Sequence, residues 1–199
     1  MKVDIAEVKR LRELTGVGIT DAKKALVESE GDFDKALEAM RVKGLAKADK
    51  RSEREARAGI VHAYVHGERI GVLVEVNCET DFVARNEEFT SFVHDVAMHI
   101  AASNPICVSE ADAPADVVAK EKELVMAELK ESGKPSEMLE KIAEGKMAKY
   151  MESICLLNQP YIKNPDQTVG DYLKERIAKL GENIVIRNFS RIELGASSS

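Results

Sequence analysis

The chain runs Ile70-Gly71-Val72-Leu73-Val74-Glu75-Val76 and, after two further residues, Glu79-Thr80-Asp81-Phe82-Val83-Ala84-Arg85-Asn86. The first stretch is rich in aliphatic and β-branched residues and predicts a strand. A helical pattern begins near Asn86, so the octapeptide Glu79–Asn86 is a strand-to-helix connection. Such connections often carry function because a rigid scaffold positions them. Its charges and single large aromatic residue suit insertion into a partner better than burial in the chain's own core.

A second apolar run precedes the first, and the residues between them predict a β-hairpin. The runs Ile60–Val65 and Gly71–Val76 flank His66-Gly67-Glu68-Arg69, a turn with Gly near its tip. A third strand is predicted over Ile184–Leu194. Apolar residues at helical spacing over Phe89–Ile100 predict an amphipathic helix. A hairpin alone would be weak, but three antiparallel strands covered by helices form a stable small sheet.

Residues 1–44 predict three short helices, because apolar residues recur there at helical spacing between turns. Asp4, Thr20 and Asp32 are expected to cap these helices. Residues 41–57 differ in character, with seven Lys or Arg residues and three acidic ones. We interpret 45–57 as a solvated, charged helical linker, and a basic nucleic-acid-binding patch is the alternative.

The segment 115–157 predicts two charged amphipathic helices that turn at Ser132-Gly133-Lys134-Pro135, which makes a helical hairpin. The predicted fold class is therefore α+β. Its domains are a three-helix module at 1–44, the linker at 45–57 and a core at 58–194. The core holds a small three-stranded antiparallel sheet covered by helices, and includes the hairpin. The last residues, 195–199, are expected to form a flexible tail.

Composition restricts the class of protein. The 199 residues carry a net charge of −6, which disfavours direct nucleic-acid binding because such proteins usually have a basic balance. Three well-separated cysteines, Cys78, Cys107 and Cys155, indicate thiols in a reducing compartment. The charged N-terminus does not resemble a signal peptide, and no apolar run approaches the roughly 20 residues of a membrane span. We expect a cytoplasmic protein that does not bind membranes.

The motifs of catalysis and cofactor binding are missing from the sequence. It contains no phosphate-binding loop, no HExxH and no Cys/His zinc set. His62 and His66 share a face of a predicted strand and could hold a metal with Glu75, but outward polar positions are the stronger interpretation. His94 and His99 are expected at partly exposed helical positions. No catalytic residue, metal ligand or cofactor is therefore predicted, and we expect a protein that is not an enzyme.

Several segments resemble the bacterial translation elongation factor Ts family. They occur in the family's order and together extend over nearly the whole chain, about 1–194. The segments are Leu11–Leu26, Glu75–Asn86, Gln159-Pro160-Tyr161-Ile162 and Gly181–Arg187.

The resemblance implies a guanine-nucleotide exchange factor of protein biosynthesis. It implies binding to elongation factor Tu in the GDP-bound and nucleotide-free forms, with promotion of GDP release in translation elongation. It also implies that the N-terminal helices form a ubiquitin-associated (UBA)-like module. The residues implied to disturb the partner's Mg²⁺ and phosphate site are Thr80, Asp81, Phe82 and Val83. Further partner contacts are expected at Arg12, Val17, Gly18, Arg85 and Asn86.

The hairpin and its Thr80-Asp81-Phe82 sequence occur once, whereas the long members of that family carry two copies. The chain therefore resembles the short members, which implies a homodimer, and an exposed sheet edge would favour pairing as well. In an alternative interpretation, Phe82 packs on Phe89 as a hydrophobic staple and Asp81 only caps a helix. Two rival functions are a binder of ubiquitin-like domains, based on residues 1–44, and an RNA- or ribosome-binding protein using 41–57.

Overall fold

Helices and strands follow one another irregularly along the chain, which confirms the predicted α+β class. The computed structural model describes residues 4–131 and 136–196. The helices are α1 (Ile5–Thr15), α2 (Ile19–Glu28), α3 (Phe33–Arg51), α4 (Asp81–Ala84), α5 (Glu87–Ser103), α6 (Ala115–Glu131), α7 (Ser136–Ile154) and α8 (Val169–Leu180). The strands are β1 (Ala58–His66), β2 (Ile70–Cys78), β3 (Pro160–Tyr161), β4 (Asn164–Thr168) and β5 (Ile184–Glu193).

The first three helices pack on one another through their apolar faces, as predicted. Asp4 caps α1 by accepting a hydrogen bond from the Ala6 N–H, and Asp32 caps α3 by accepting one from Lys35. The predicted cap at Thr20 is wrong: α2 already begins at Ile19, so Thr20 lies inside its first turn. The buried residues of this module are Val8, Leu11, Ala22, Ala25, Leu26, Ala36 and Met40.

The segment predicted as a solvated linker begins as part of α3, which continues without interruption to Arg51. Gly44 and Ala48 are buried along this helix. A Cβ atom on Gly44 would lie 3.2 Å from that of Ala178 in α8, so the two helices approach closely there. Most residues of 45–51 are exposed, but Ala48 is buried, so one face of this segment is not solvated. The absence of large apolar residues hid this face from the sequence pattern, and the linker itself stays a prediction.

The central sheet confirms the predicted three antiparallel strands. Their order in the sheet is β1-β2-β5. Strands β1 and β2 are joined by a tight turn in which Gly67 and Glu68 have φ values of 54° and 59°. Positive φ at both central residues is the geometry that matches the twist of a two-residue hairpin. Within β2, burial alternates in the expected way: Val72, Val74, Val76 and Cys78 are buried, with Leu73 exposed between them.

Helix α5 has a continuous buried face, in agreement with its predicted amphipathic pattern. Its fully buried residues are Phe89, Phe92, Val93, Val96, Ala97, His99 and Ile100. The presence of His99 among them corrects our expectation of a partly exposed position. His94, by contrast, is exposed as expected.

Helices α6 and α7 form the predicted helical hairpin. Val125, Leu129 and Ala143 are the buried residues between them. The predicted turn at 132–135 lies outside the described residues, as do residues 197–199 of the predicted tail. After α7 the chain forms a small second sheet, in which β3 pairs antiparallel with β4. This sheet was not predicted, because Pro160 and Pro165 and short length hide the strand pattern.

Contacts divide the chain into two compact units, and β1, β2 and β5 each contribute residues to both. The predicted domain boundaries at 44, 57 and 194 were drawn from sequence pattern and not from contacts, and they stay a prediction. The described residues of the first unit are 4–62, 74–95 and 171–187; those of the second are 63–73, 96–131, 136–170 and 188–196.

Buried His99 in the second unit is held in its neutral form. Its Nδ1 accepts a hydrogen bond from the Ile162 N–H at 3.3 Å, so the proton resides on Nε2, which lies 2.9 Å from Gln159 Oε1. The Gln159 amide in turn donates to the Ser153 carbonyl at 2.6 Å. Burial lowers the pKa of His99 below its ordinary value of 6.5.

We predict that His99 makes the fold sensitive to acid. Because its pKa is lower in the folded chain than the 6.5 of the unfolded one, the unfolded chain binds a proton first as pH falls below 6.5. The free energy of unfolding should then fall by as much as about 1.4 kcal/mol per pH unit until the folded pKa is reached. Urea unfolding from pH 7.5 to 5 should give a shallower pH dependence for His99→Gln than for the wild type. The exposed-site variant His66→Gln should keep the wild-type slope, and equal slopes for all three proteins would contradict the assignment.

Candidate functional site

The octapeptide forms a rigid turn at the end of β2. Thr80 has extended backbone angles, and its hydroxyl oxygen accepts a 3.4 Å hydrogen bond from the Val83 N–H, so it caps the single turn of α4. Ala84 is buried and fixes the underside of this turn. The outward residues Asp81 and Phe82 therefore project from a backbone that is held at both ends.

Phe82 is the most exposed large hydrophobic side chain among the described residues, at 84%. A staple would bury Phe82 against Phe89, which the exposure of Phe82 contradicts. Aromatic side chains contribute strongly to interfaces, because each can bury a large apolar area. The structure thus contradicts the purely structural interpretation of Phe82.

Asp81 does not cap α4, since Thr80 does. Its carboxylate lies in the first turn, 3.4 Å from the Arg85 guanidinium, and both side chains are more than half exposed. Asn86 begins the next helix, because its side-chain oxygen accepts a hydrogen bond from the Glu88 N–H at 2.8 Å. Arg85 therefore remains available at the surface, whereas Asn86 has a structural part in starting α5.

Glu182, which lies just before β5, holds the turn from a distant part of the sequence. One carboxylate oxygen accepts from the backbone N–H groups of Glu79 and Thr80, at 3.1 and 3.0 Å. The other accepts from the Thr80 hydroxyl at 2.7 Å. These three charge-assisted hydrogen bonds fix the N-terminal end of the turn.

The contact is reciprocal, because Glu79 accepts a 2.6 Å hydrogen bond from the Asn183 N–H. The Asn183 side chain is buried and donates to the carbonyl oxygens of Ser52 and Arg54, at 3.3 and 2.6 Å. Arg54 also lies 3.5 Å from Glu79. The end of α3, the turn after β2 and the loop before β5 are thereby joined in one network, which we call the Glu79–Glu182 clamp.

Sequence reasoning did not assign a role to Glu182 or Asn183, although it singled out the segment that contains them. No local pattern indicates their contacts, since Glu182 lies 102 positions from Thr80. The sequence shows only that this polar pair directly precedes an apolar strand, which could have marked the two residues as candidates without indicating their partners.

Cys78 lies beneath the turn. Its thiol is fully buried and donates to the Thr80 carbonyl at 3.1 Å. Burial, with the Glu182 carboxylate nearby, raises the pKa of Cys78 to about 11. The protonated thiol therefore acts as a structural donor.

The further predicted contacts lie in the N-terminal module. Arg12 and Gly18 are exposed, whereas Val17 is partly buried against the module's core. Gly16 has φ +65° and lies against the Lys179 backbone, where a Cβ atom would come within 2.6 Å of Cα. Only glycine fits there, so packing against Lys179 explains the presence of Gly16 in the turn 16–18.

The basic residues of 41–57 mostly have acidic or carbonyl partners within the first unit, which weakens the interpretation of this segment as a nucleic-acid patch. Phosphate binding requires cations that can approach the ligand. The pairs are Arg41 with Glu175, Lys43 and Lys47 with Asp21, Arg51 with the Ile177 carbonyl, Arg54 with Glu79 and Arg57 with Glu55.

The histidines do not form the considered metal site. His62 Nε2 lies 3.1 Å from His94 Nδ1 on α5, and His66 instead contacts Tyr64. Among the described residues, no group of three or more His, Cys, Asp or Glu side chains could hold a metal ion. None of the described helices has both the length and the hydropathy needed to cross a bilayer.

A family model described as Elongation factor TS matches residues 5–196, which include the turn, the clamp and the N-terminal module. The chain belongs to the elongation factor Ts family. It is 53% identical to Elongation factor Ts of Syntrophobacter fumaroxidans over 197 residues, covering 98% of each protein. It is 55% identical to the Carboxydothermus hydrogenoformans protein of that name over 189 residues, covering 94% of this chain and 87% of the other.

Membership of the elongation factor Ts family confirms the resemblance drawn from the sequence. The near-complete coverage of the Syntrophobacter fumaroxidans protein also shows that this relative has nearly the same extent as the chain. The family supports a role in translation elongation and protein biosynthesis.

Proposed function

We propose that this protein is a guanine-nucleotide exchange factor for elongation factor Tu, and that the turn Thr80–Val83 performs the exchange. Membership of the elongation factor Ts family supports the role. The observation that carries the mechanism is Phe82, which is 84% exposed on a turn held by the Glu79–Glu182 clamp. A turn whose backbone is already ordered loses less freedom on binding, so more of the free energy of burying Phe82 contributes to affinity.

An exchange factor makes and breaks no covalent bond, and in this sense the protein is not an enzyme. It needs only a higher affinity for the nucleotide-free GTPase than for the nucleotide-bound one. The effect is reciprocal by thermodynamic linkage. If the bound factor lowers the affinity of the GTPase for GDP, then bound GDP lowers the affinity of the GTPase for the factor by the same ratio. The site must therefore contact the part of the partner that changes when nucleotide leaves.

Phe82 inserts beside the Mg²⁺ site of elongation factor Tu and displaces side chains that support the metal. Asp81, exposed next to it, competes for hydrogen bonds or disturbs the ordered water around the Mg²⁺ ion. A GTPase binds GDP through this ion and through amides around the phosphates, so losing either contact releases the nucleotide. Thr80 holds the backbone, and Val83 completes the apolar contact.

The N-terminal module provides a second contact surface through Arg12, Val17 and Gly18. Leu14 and Ile19 support this role, because they are 54% and 53% exposed beside the turn 16–18. Arg85 and Asn86 extend the first contact. Neither surface requires a cofactor or direct nucleic-acid binding, and we place the protein in the cytoplasm with its partner.

The direct test is release of a fluorescent GDP analogue from elongation factor Tu. The protein at micromolar concentration should accelerate release, with excess unlabelled GDP present to prevent rebinding. Heat-denatured protein serves as the control. No acceleration, together with no binding to nucleotide-free elongation factor Tu, would refute the proposed function.

We further propose that the protein is a homodimer, paired through the outer face or edge of its sheet. Four large apolar side chains of the second unit support this, because they lie on the strands or directly after β5 and are exposed to solvent instead of buried. These are Val65, Leu73, Ile192 and Leu194, with exposures of 65%, 52%, 72% and 63%.

We predict that Ile192→Asp dissociates the dimer. A carboxylate at the centre of an apolar interface loses its hydration without gaining a partner. Sedimentation equilibrium at micromolar concentration should give a dimer mass for the wild type and a monomer mass for Ile192→Asp. The matched variant Leu124→Asp, at a 58% exposed position of α6, should remain dimeric. A monomeric wild type would exclude the homodimer.

A further inference from the structure

Two buried thiols of the second unit lie side by side. The sulfur atoms of Cys107 and Cys155 are 3.3 Å apart, although the residues are 48 positions apart in the chain. Cys107 follows α5 and Cys155 follows α7. The cluster around them also contains Ile154, with Tyr150 and Met151 packed against it.

The backbone around this pair is regular and close. Cys107 and Cys155 are directly opposed in a short parallel bridge. The Leu156 N–H donates to the Cys107 carbonyl at 2.9 Å, and the Leu157 N–H donates to that of Val108 at 3.0 Å. Neighbouring strands lie about 4.8 Å apart, which is within the Cα separation of about 4.4–6.8 Å that a disulfide requires.

We propose that Cys107 and Cys155 are a site of reversible oxidation, where a peroxide converts the two thiols into an intramolecular disulfide. Cys107 is 5% exposed and Cys155 fully buried, so Cys107 reacts first. Bond formation requires the sulfurs to approach from 3.3 Å to about 2.05 Å, which side-chain rotation can supply.

The step balances with hydrogen peroxide as the oxidant. The Cys107 thiolate attacks one peroxide oxygen, the O–O bond breaks, and a sulfenic acid forms as hydroxide leaves. Cys155 sulfur then attacks the sulfenic sulfur, the S–S bond forms, and a second hydroxide leaves. The two thiol protons convert both hydroxides to water. The cysteines lose two electrons, and the peroxide gains them.

The protein provides a matched control in Cys78. This thiol is as deeply buried as Cys155, but its hydrogen bond goes to a backbone carbonyl and not to a second sulfur. If burial alone decided which cysteines are oxidised, all three would behave alike. The proposal instead expects a disulfide between Cys107 and Cys155 only. Burial also raises the pKa of Cys107 to about 12, so oxidation should be slow at neutral pH and about tenfold faster per pH unit in alkali.

The experiment treats the full chain with hydrogen peroxide and then alkylates the remaining thiols after unfolding. We expect one alkylated cysteine in place of three, and a tryptic cross-link that joins the peptides containing Cys107 and Cys155. Dithiothreitol should restore three. Cys78→Ser should still form the disulfide, whereas Cys155→Ala should form none and leave a dimedone-reactive sulfenic acid at Cys107.

The oxidised protein should also melt roughly 5–15 °C higher, because the bond closes a long loop of the unfolded chain. Three alkylated cysteines after peroxide, a bond that includes Cys78, or bonds only between chains would each overturn the proposal. A lower melting temperature after oxidation would likewise overturn it, because it would mean that the bond forms only by straining the native fold. These measurements do not involve elongation factor Tu, so the exchange function is tested separately.

Discussion

Phe82→Ala should lower the acceleration of GDP release by about ten- to a hundredfold while leaving the fold intact. A buried Phe side chain contributes roughly 1.5–3 kcal/mol to an interface, and each 1.4 kcal/mol is a factor of about ten. In the unbound protein this side chain is 84% exposed, so its truncation leaves no cavity. The measurement is the rate of fluorescent GDP release at equal concentrations of wild type and variant.

The control is Leu124→Ala, which truncates another exposed apolar residue on α6, 58% exposed. It should accelerate GDP release as the wild type does. Both variants should unfold within about 0.5 kcal/mol of the wild type, as exposed substitutions usually do. A Phe82→Ala protein with wild-type exchange activity would show that the exposed aromatic residue does not enter the partner, even if the family function holds.

Glu182→Ala should affect both stability and exchange. It removes the carboxylate that accepts hydrogen bonds from the Glu79 N–H, the Thr80 N–H and the Thr80 hydroxyl. Since Thr80 is exposed and water can replace part of this contact, we expect a loss of about 1.5–3 kcal/mol in the free energy of unfolding. The loosened turn should lower exchange about tenfold, because Phe82 would have to be ordered on binding.

Glu182→Gln separates the hydrogen bonds from the charge. Its amide oxygen can replace one carboxylate oxygen but not both, so we expect values between those of the wild type and Glu182→Ala. Glu144→Ala, at an exposed position of α7, should change neither quantity. If Glu182→Ala unfolds at the wild-type urea concentration and exchanges normally, the Glu79–Glu182 clamp does not position the turn.

The parts of the fold with strong local patterns could be predicted from sequence. The alternation Val72, Val74, Val76 marked β2, and Gly67 marked the hairpin turn. The octapeptide was recognised as a functional candidate because it places Phe82 in a polar connection, and the structure shows that this side chain is exposed. These features depend on residues that are close in sequence.

The remaining features depend on distant contacts. Nothing near Glu182 indicates that it binds Thr80, and nothing near His99 indicates Gln159 as its partner. The packing of α3 on α8 was missed because Gly44 and Ala48 are small, so hydrophobicity alone did not mark them as buried. Single-sequence patterns record periodicity, whereas these contacts are set by tertiary packing.

The distance along the chain between Thr80 and Glu182 has a consequence for biosynthesis. A ribosome reaches Glu182 only 102 codons after Thr80, which takes about 5–20 s at typical rates of elongation. Until then the turn has no carboxylate to order it, even if β1 and β2 have already paired. The clamp that orders this turn can therefore form only when synthesis is nearly finished.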